Sequence, residues 1–145
     1  MSRTWITTDE EETRALGEAI ASEWGADQLC LLVGALGTGK TVFSQGLARA
    51  LGVNPREVQS PSFTLVREHR GRAVDFIHID LFRLEPDELA AVGVEEILAG
   101  DGVKVVEWAE RLPPELCTTG TFYSFRRLEN GSREIRELTP ELAMR

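Results

Sequence analysis

Residues 34–41 read Gly-Ala-Leu-Gly-Thr-Gly-Lys-Thr, and this glycine-rich stretch lies between an apolar run and a helical pattern. The run, Gln28–Val33, is continuous, which is typical of a strand covered on both faces of a parallel sheet. Thr41–Leu51 is predicted to be a helix, and Gly52 is placed to end it. A turn of this composition between a buried strand and a helix is the Walker A pattern G-x-x-x-x-G-K-T.

The residue types in this turn suit the binding of ATP phosphates and Mg²⁺. Glycines at 34, 37 and 39 let the backbone adopt positive φ and approach a ligand closely. The backbone amides can then surround an anion at the positive end of the following helix. Lys40 is expected to reach the β- and γ-phosphates, and the Thr41 hydroxyl to ligate Mg²⁺. The alternative is a glycine-rich turn that does no more than cap a helix.

Two further predicted strands end in carboxylates. Ala73–Asp80 ends in Asp80, and the strand Val103–Trp108 carries Glu107 near its end. In a parallel sheet, ligands bind outside the carboxyl ends of the strands, so both side chains are expected at the edge that carries the glycine-rich turn. Asp80 can hold Mg²⁺ through a water, and Glu107 can complete the metal shell or orient and deprotonate the attacking water. The alternative is that each carboxylate caps the next turn.

The remaining pattern favours a three-layer α/β fold, a P-loop NTPase fold with a mostly parallel sheet and antiparallel strands at its edge. Strands and helices alternate in the first half of the chain, and strands follow one another near its end. One domain is expected over residues 1–145. The other predicted elements are an edge strand at Thr4–Thr7, a helix opened by a capping box at Thr8–Glu11, a strand at Phe63–Glu68, a short helix from Pro86 to Ala91, and a hairpin of Thr121–Leu128 and Arg133–Leu138 around Asn130-Gly131.

Composition limits the partners and the compartment. With a net charge of −8, the chain lacks the basic surface that unaided nucleic-acid binding requires. Any RNA is therefore expected to be bound by a partner protein. No apolar stretch is long enough to span a membrane, and Met1–Thr8 lacks the pattern of a secretion signal. Cys30 and Cys117 are expected to be free thiols in a reducing compartment, which predicts a cytoplasmic protein without a membrane.

Three further features have both a functional and a structural interpretation. The segment 60–64, Ser-Pro-Ser-Phe-Thr, can be a switch loop whose hydroxyl meets the γ-phosphate, or a plain turn. His78 shares a strand face with Asp80, and it either tunes a metal site or packs with a satisfied hydrogen bond. Trp108 either stacks on a base or partner, or is a core or rim aromatic.

Taken in order, these motifs resemble one family, TsaE, formerly YjeE, the bacterial ATPase of tRNA threonylcarbamoyladenosine biosynthesis. The resemblance covers nearly the whole chain. It rests on Leu-Gly-x-Gly-Lys-Thr at 36–41, Ser-Pro-Ser-Phe-Thr-Leu-Val at 60–66, His-Ile-Asp-Leu-Phe-Arg-Leu at 78–84 and Val-Glu-Trp-Ala-Glu-Arg-Leu at 106–112. Many families share a Walker A pattern, but the later motifs in this order are far more specific.

The resemblance implies a role for each member of a candidate site. Phosphate binding is implied for Gly37, Thr38, Gly39 and Lys40. Organisation of Mg²⁺ and of hydrolysis is implied for Thr41, Asp80 and Glu107, with Lys40, Asp80 and Glu107 as the catalytic residues. The segment Glu10–Thr13, with Glu10 and Thr13 at its ends, is implied to border adenine, and Trp108 and Arg133 to lie near the nucleotide. Val42 stands where the family often has a second threonine, so backbone amides are expected to make any α-phosphate contact there.

The resemblance also implies a pathway and partners. TsaE proteins bind TsaB and TsaD, and ATP hydrolysis is implied to reset that pair between rounds of tRNA modification, with tRNA reached only through the complex. We expect an ATPase that is weak alone and stimulated by its partners. Two alternatives stay open. One is a P-loop small-molecule kinase, which Arg83 with Arg111 as phosphate contacts would favour, although 145 residues leave little room for a lid and an acceptor pocket. The other is an ATP-bound scaffold without turnover.

Overall fold

The computed structural model describes residues 2–35, 37–58, 66–85, 87–91 and 93–143. Its strands are β1 (Arg3–Thr7), β2 (Gln28–Val33), β3 (Val66–His69), β4 (Phe76–Asp80), β5 (Val103–Glu107), β6 (Thr121–Arg127) and β7 (Arg133–Leu138). Its helices are α1 (Glu10–Ala21), α2 (Lys40–Ala50), α3 (Glu88–Ala91), α4 (Val94–Ala99) and α5 (Pro140–Ala143). Short 3₁₀ turns occur at Pro55–Glu57, Ala109–Arg111 and Pro114–Leu116. None of the described helices is long and apolar enough to cross a membrane.

The strands form a sheet in the order β1-β7-β6-β2-β5-β4-β3. Its centre is parallel, because β2 pairs in parallel with both β5 and β6, and β4 pairs in parallel with β5. Antiparallel strands complete both edges: β3 beside β4 on one side, and β7 followed by β1 on the other. The predicted α/β fold with a parallel centre and antiparallel edges is therefore confirmed.

Apolar side chains on the two faces of the sheet form two separate cores, which gives the fold three layers. In β2, Cys30 and Leu32 enter one core together with Phe43 and Leu47 of α2. The side chains of Leu29 and Leu31 enter the other core, which is closed by residues of α3 and α4. Since successive strand residues point to opposite faces, a strand buried on both sides must be apolar throughout. That requirement explains the uninterrupted run in β2.

Helices α1 and α2 pack closely through two glycines. A methyl group at Gly46 would lie 1.9 Å from the Arg14 carbonyl oxygen, and one at Gly17 would lie 2.4 Å from the Phe43 carbonyl oxygen. Only glycine permits this approach of two backbones. On the same side, a methyl group at Gly39, directly before α2, would lie 3.6 Å from the Thr13 side chain of α1.

Two of the predicted boundaries were wrong. Helix α1 is capped by Asp9 rather than Thr8, because the Asp9 carboxylate accepts from the Glu12 N–H while the Glu12 carboxylate accepts from the Thr8 N–H. Strand β4 begins at Phe76 rather than Ala73, since its pairing with β3 starts at Phe76 and the preceding residues form the connection. Helix α4 was not predicted. Residues 59–65 and Pro86 lie outside the described residues, and with them the predicted switch loop.

Candidate functional site

The described residues between β2 and α2, which are 34, 35 and 37–39, form the turn that joins this strand to this helix. Gly34, Gly37 and Gly39 have φ of 145°, 75° and 105°, and Gly39 caps α2 directly before Lys40. A side chain at Gly34 would also meet the Phe125 carbonyl oxygen at 2.6 Å. The amides at the start of α2 therefore stand at the positive end of the helix, where anions are stabilised.

Lys40 is held inside this turn. Its Nζ donates to the Gly34 carbonyl oxygen at 2.6 Å and lies 3.7 Å from the centre of the Trp108 ring. Burial lowers the pKa of Lys40, while the negative charges of Glu107 and Glu110 act against that shift. Glu110 is affected in the opposite sense, because burial raises the pKa of its carboxyl. The lysine thus stands close to acidic groups in a partly desolvated position.

Asp80 and Glu107 meet at the ends of β4 and β5. They are direct partners in the parallel register, and both are buried. Asp80 Oδ1 accepts from the Phe82 N–H at 2.9 Å, as expected of a residue that also shapes the following turn. Thr41 Oγ1 lies 3.4 Å from each Glu107 carboxylate oxygen. Strand ends and helix start therefore bring together the three predicted metal residues.

Hydroxyl and carboxylate oxygens of this kind fit Mg²⁺, a hard cation that prefers oxygen ligands. Among the described residues, no group of three or more His, Cys, Asp or Glu side chains forms a metal cluster. At nucleotide sites Mg²⁺ is typically held by one or two carboxylates together with substrate phosphates and water.

A cavity of about 440 Å³ opens beside these groups. Of the predicted site residues, only Thr38 does not line it, because its hydroxyl turns inward to the Ala35 carbonyl oxygen. The predicted residues that line it are Glu10, Thr13, Gly37, Gly39, Lys40, Thr41, Val42, Asp80, Glu107, Trp108 and Arg133. Their individual roles stay predictions.

The cavity also has walls that sequence reasoning missed. These are Thr8, Asp9, Phe82, Arg83 and Gly131. Phe82 packs on Trp108 with ring centres 4.8 Å apart. Gly131 accepts a hydrogen bond from Arg133 Nη1 at 2.8 Å. The wall at Gly131 could not be inferred locally, since it depends on where the β6–β7 hairpin sits in the sheet. Phe82 and Arg83 had a signal, because they closely follow the strand that ends in Asp80.

Trp108 has an unusual backbone. Its φ of 61° and ψ of 42° lie in the left-handed region, which costs a non-glycine residue about 1–2 kcal/mol. Such strain persists where surrounding contacts hold a residue in place, and it is concentrated at functional sites. Here the left-handed backbone of Trp108 places its indole against Lys40 and Phe82.

Arg83 and Arg111 are not brought together at the cavity. Arg83 lines it, but Arg111 donates to the Leu84 carbonyl oxygen at 3.1 Å and does not. These two residues were the feature that favoured a kinase.

Comparison with known proteins agrees with this geometry. The family model "Threonylcarbamoyl adenosine biosynthesis protein TsaE" matches residues 7–135. Proteins named tRNA threonylcarbamoyladenosine biosynthesis protein TsaE are similar to this chain. The one from Bacillus subtilis is 35% identical over 131 residues, 90% of this chain and 82% of that protein. The one from Aquifex aeolicus is 44% identical over 110 residues, 75% of this chain and 78% of that protein.

The fold has a counterpart among solved structures. The crystal structure of YdiB from Bacillus subtilis matches with a TM-score of 0.77 and 30% identity, covering 94% of this chain and 84% of that one. The strand order, the P-loop and the match over residues 7–135 lead to one conclusion: the chain belongs to the TsaE family.

Proposed function

We propose that this chain is the ATP-binding and ATP-hydrolysing subunit required for threonylcarbamoyl modification of tRNA adenosine, acting with TsaB and TsaD in the cytoplasm. The observation that carries the proposal is the meeting of Thr41 and buried Glu107 beside Lys40, in a cavity at the strand ends. The pathway follows from the relatives' names, and the partners follow from the family resemblance.

Binding of ATP is assigned to the turn and the cavity. The amides at the start of α2 and the Lys40 ammonium offer donors and positive charge to the phosphates. Glu10, Thr13 and Arg133 stand on the walls where the rest of a nucleotide would extend. Thr13 is fixed there by a 2.6 Å hydrogen bond between its hydroxyl and that of Thr7.

Hydrolysis is assigned to Glu107 with Asp80 and Thr41. Mg²⁺, when bound, would neutralise charge on the phosphates. Thr41 and the two carboxylates are the residues that would hold it. Glu107 is placed to orient a water and accept its proton, because it is buried within reach of the Thr41 hydroxyl.

Weak turnover by the chain alone is part of the proposal. Lys40 is engaged by the Gly34 carbonyl and the Trp108 ring, so its transfer to a phosphate requires these contacts to be given up. Ordering of a site by a partner increases phosphoryl transfer by orders of magnitude. With a net charge of −8, the chain is expected to reach tRNA only through its partners.

The test is phosphate release from ATP and Mg²⁺, measured with and without TsaB and TsaD. We expect slow release by the chain alone, clear stimulation by the pair, and loss of stimulation in Glu107→Ala. Glu115→Ala, which removes an exposed acid away from the cavity, is the matched control. Full partner-stimulated turnover in Glu107→Ala would contradict the assignment. Stable assembly without turnover would favour the scaffold, and transfer of phosphate to a small acceptor would favour the kinase.

A further inference from the structure

One of the two histidines in the chain, His78, is buried against the candidate catalytic carboxylate. It lies in β4 with 0% of its surface exposed, and its Nε2 is 2.5 Å from Oε2 of Glu107. A carboxylate that is to take a proton from water must accept this hydrogen bond, so the proposed role of Glu107 makes Nε2 the donor. The contact is therefore a direct hydrogen bond from a buried ring to the group proposed to activate water.

The sheet register produces this contact. His78 pairs with Val105 in the parallel β4–β5 ladder, and Asp80 pairs with Glu107 two residues further on. Since side chains two apart share a face, His78, Asp80 and Glu107 all project to the side of the sheet covered by α1 and α2. The imidazole reaches diagonally across the strands to the carboxylate.

The rest of the imidazole is held by packing. The Phe76 ring lies 6.0 Å away between ring centres, and Nδ1 is buried without a hydrogen-bond partner among the described residues. If His78 served only to fill the core, the fold would be more stable with both ring nitrogens paired or with an apolar residue in its place. Unpaired buried polar atoms lower the stability of the folded state. Among the residues that the structure describes, the hydrogen bond of this ring is directed at Glu107.

We propose that His78 is a positioning residue that fixes the Glu107 carboxylate for its part in ATP hydrolysis, an inference that rests on the proposed function. With Oε2 held by Nε2, the carboxylate cannot rotate freely, and it stays within 3.4 Å of the Thr41 hydroxyl. A residue that hydrogen-bonds to a ligating or basic side chain orients that side chain, and this typically contributes about 10- to 100-fold to affinity or activity. His78 does not line the cavity, so its effect on hydrolysis is exerted through Glu107.

The contact can be tested without ATP, by proton and nitrogen NMR of the imidazoles in the nucleotide-free protein. We expect a strongly downfield Nε2 proton signal that is lost in Glu107→Ala and retained in His69→Gln. His69 is the matched control, because it is the other histidine, on neighbouring β3, and does not line the cavity. Absence of the signal in the wild-type protein, or its persistence in Glu107→Ala, would overturn the inference.

The role is tested by three variants assayed with TsaB and TsaD. We expect His78→Leu to lower kcat about 10- to 100-fold while nucleotide affinity measured without Mg²⁺ is unchanged. His78→Gln, whose amide can donate from a similar position, should recover part of kcat. In a Glu107→Ala background, His78→Leu should cause no further loss, because the two residues act as one unit.

The outcomes separate this inference from the proposed function. If His78→Leu folds and keeps wild-type kcat, or if its effect adds fully to that of Glu107→Ala, His78 does not act through Glu107. If His78→Leu fails to fold, the test depends on His78→Gln. The inference then requires that kcat of His78→Gln be higher than kcat of Glu107→Ala. If the wild-type protein shows no stimulated phosphate release, the proposed function fails, and the NMR signal still decides whether His78 holds the carboxylate.

Discussion

The Lys40 ammonium lies over the face of the Trp108 indole, with Nζ 3.7 Å from the ring centre, while donating to the Gly34 carbonyl oxygen. A cation in this position is attracted by the electron-rich ring face. The lysine thus packs against an aromatic residue whose backbone is itself strained.

Nucleotide binding should therefore change Trp108 fluorescence. A phosphate that draws Lys40 away removes a cation from the indole face, so emission should shift when ATP is added. Trp5→Phe with Trp24→Phe isolates the signal, since neither tryptophan lines the cavity. The change should vanish in Trp108→Phe. An unaltered emission spectrum at an ATP concentration shown by calorimetry to saturate the protein would contradict this picture.

Lys40→Ala should weaken ATP binding by about 10- to 100-fold, because a hydrogen bond to a charged group contributes about 1.5–3 kcal/mol. Isothermal titration calorimetry would measure the loss. Lys104→Ala is the matched control, since Lys104 is the only other lysine, is also buried, and also donates to a carbonyl oxygen, that of Gly100. It does not line the cavity. Equal affinities of the two variants would count against the phosphate site.

Gly46→Ala should destabilise the fold although alanine favours helices. The new methyl group would lie 1.9 Å from the Arg14 carbonyl oxygen, which cannot move without α1. Overpacking costs about 1–3 kcal/mol, and the higher helix propensity of alanine offsets about 1 kcal/mol of that cost, so we expect a net loss of up to about 2 kcal/mol in the free energy of unfolding. Urea denaturation measures it. Gly25→Ala, where a methyl group meets nothing within 4 Å, should leave stability nearly unchanged. Similar denaturation midpoints for both variants would refute the close contact.

Stability should fall at alkaline pH because of two buried groups. Burial raises the pKa of the Cys30 thiol well above 9.0, and burial raises that of the Tyr123 hydroxyl above 10.0. Above those ordinary values the unfolded chain releases protons that the folded protein keeps. The free energy of unfolding then decreases with pH, by about 1.4 kcal/mol per pH unit for each group.

Urea titrations from about pH 8 to about pH 11 would show this slope. Cys30→Ala combined with Tyr123→Phe should flatten it, although removal of the Tyr123 hydrogen bond to Glu137 lowers stability at every pH. An identical slope in the double variant would show that these groups ionise within the folded protein.

Much of the site followed from strand direction alone. Gln28–Val33 could be delimited because both of its faces are buried, and Asp80 and Glu107 could be placed together because parallel strands end at one edge. Neither inference needs the register between strands.

What could not be predicted depends on that register and on long-range pairing. Strand residues alternate between the two faces of a sheet, so the sequence predicts that His78 and Asp80 share a face. The contact of His78 with Glu107, however, requires the alignment of β4 with β5. The wall formed by Gly131 requires the hairpin to lie beside β2. Helix α4 has only six residues, too few for a helical period to be recognised.

The pairing of β1 with β7 has a kinetic consequence. These strands come from opposite ends of the described chain, yet they are neighbours, and the cavity takes walls from both regions at Thr13 and Arg133. Contacts between residues so distant in sequence close large loops and slow folding. Because the cavity has walls from both regions, a nucleotide bound there should stabilise the state in which the first and last strands have met.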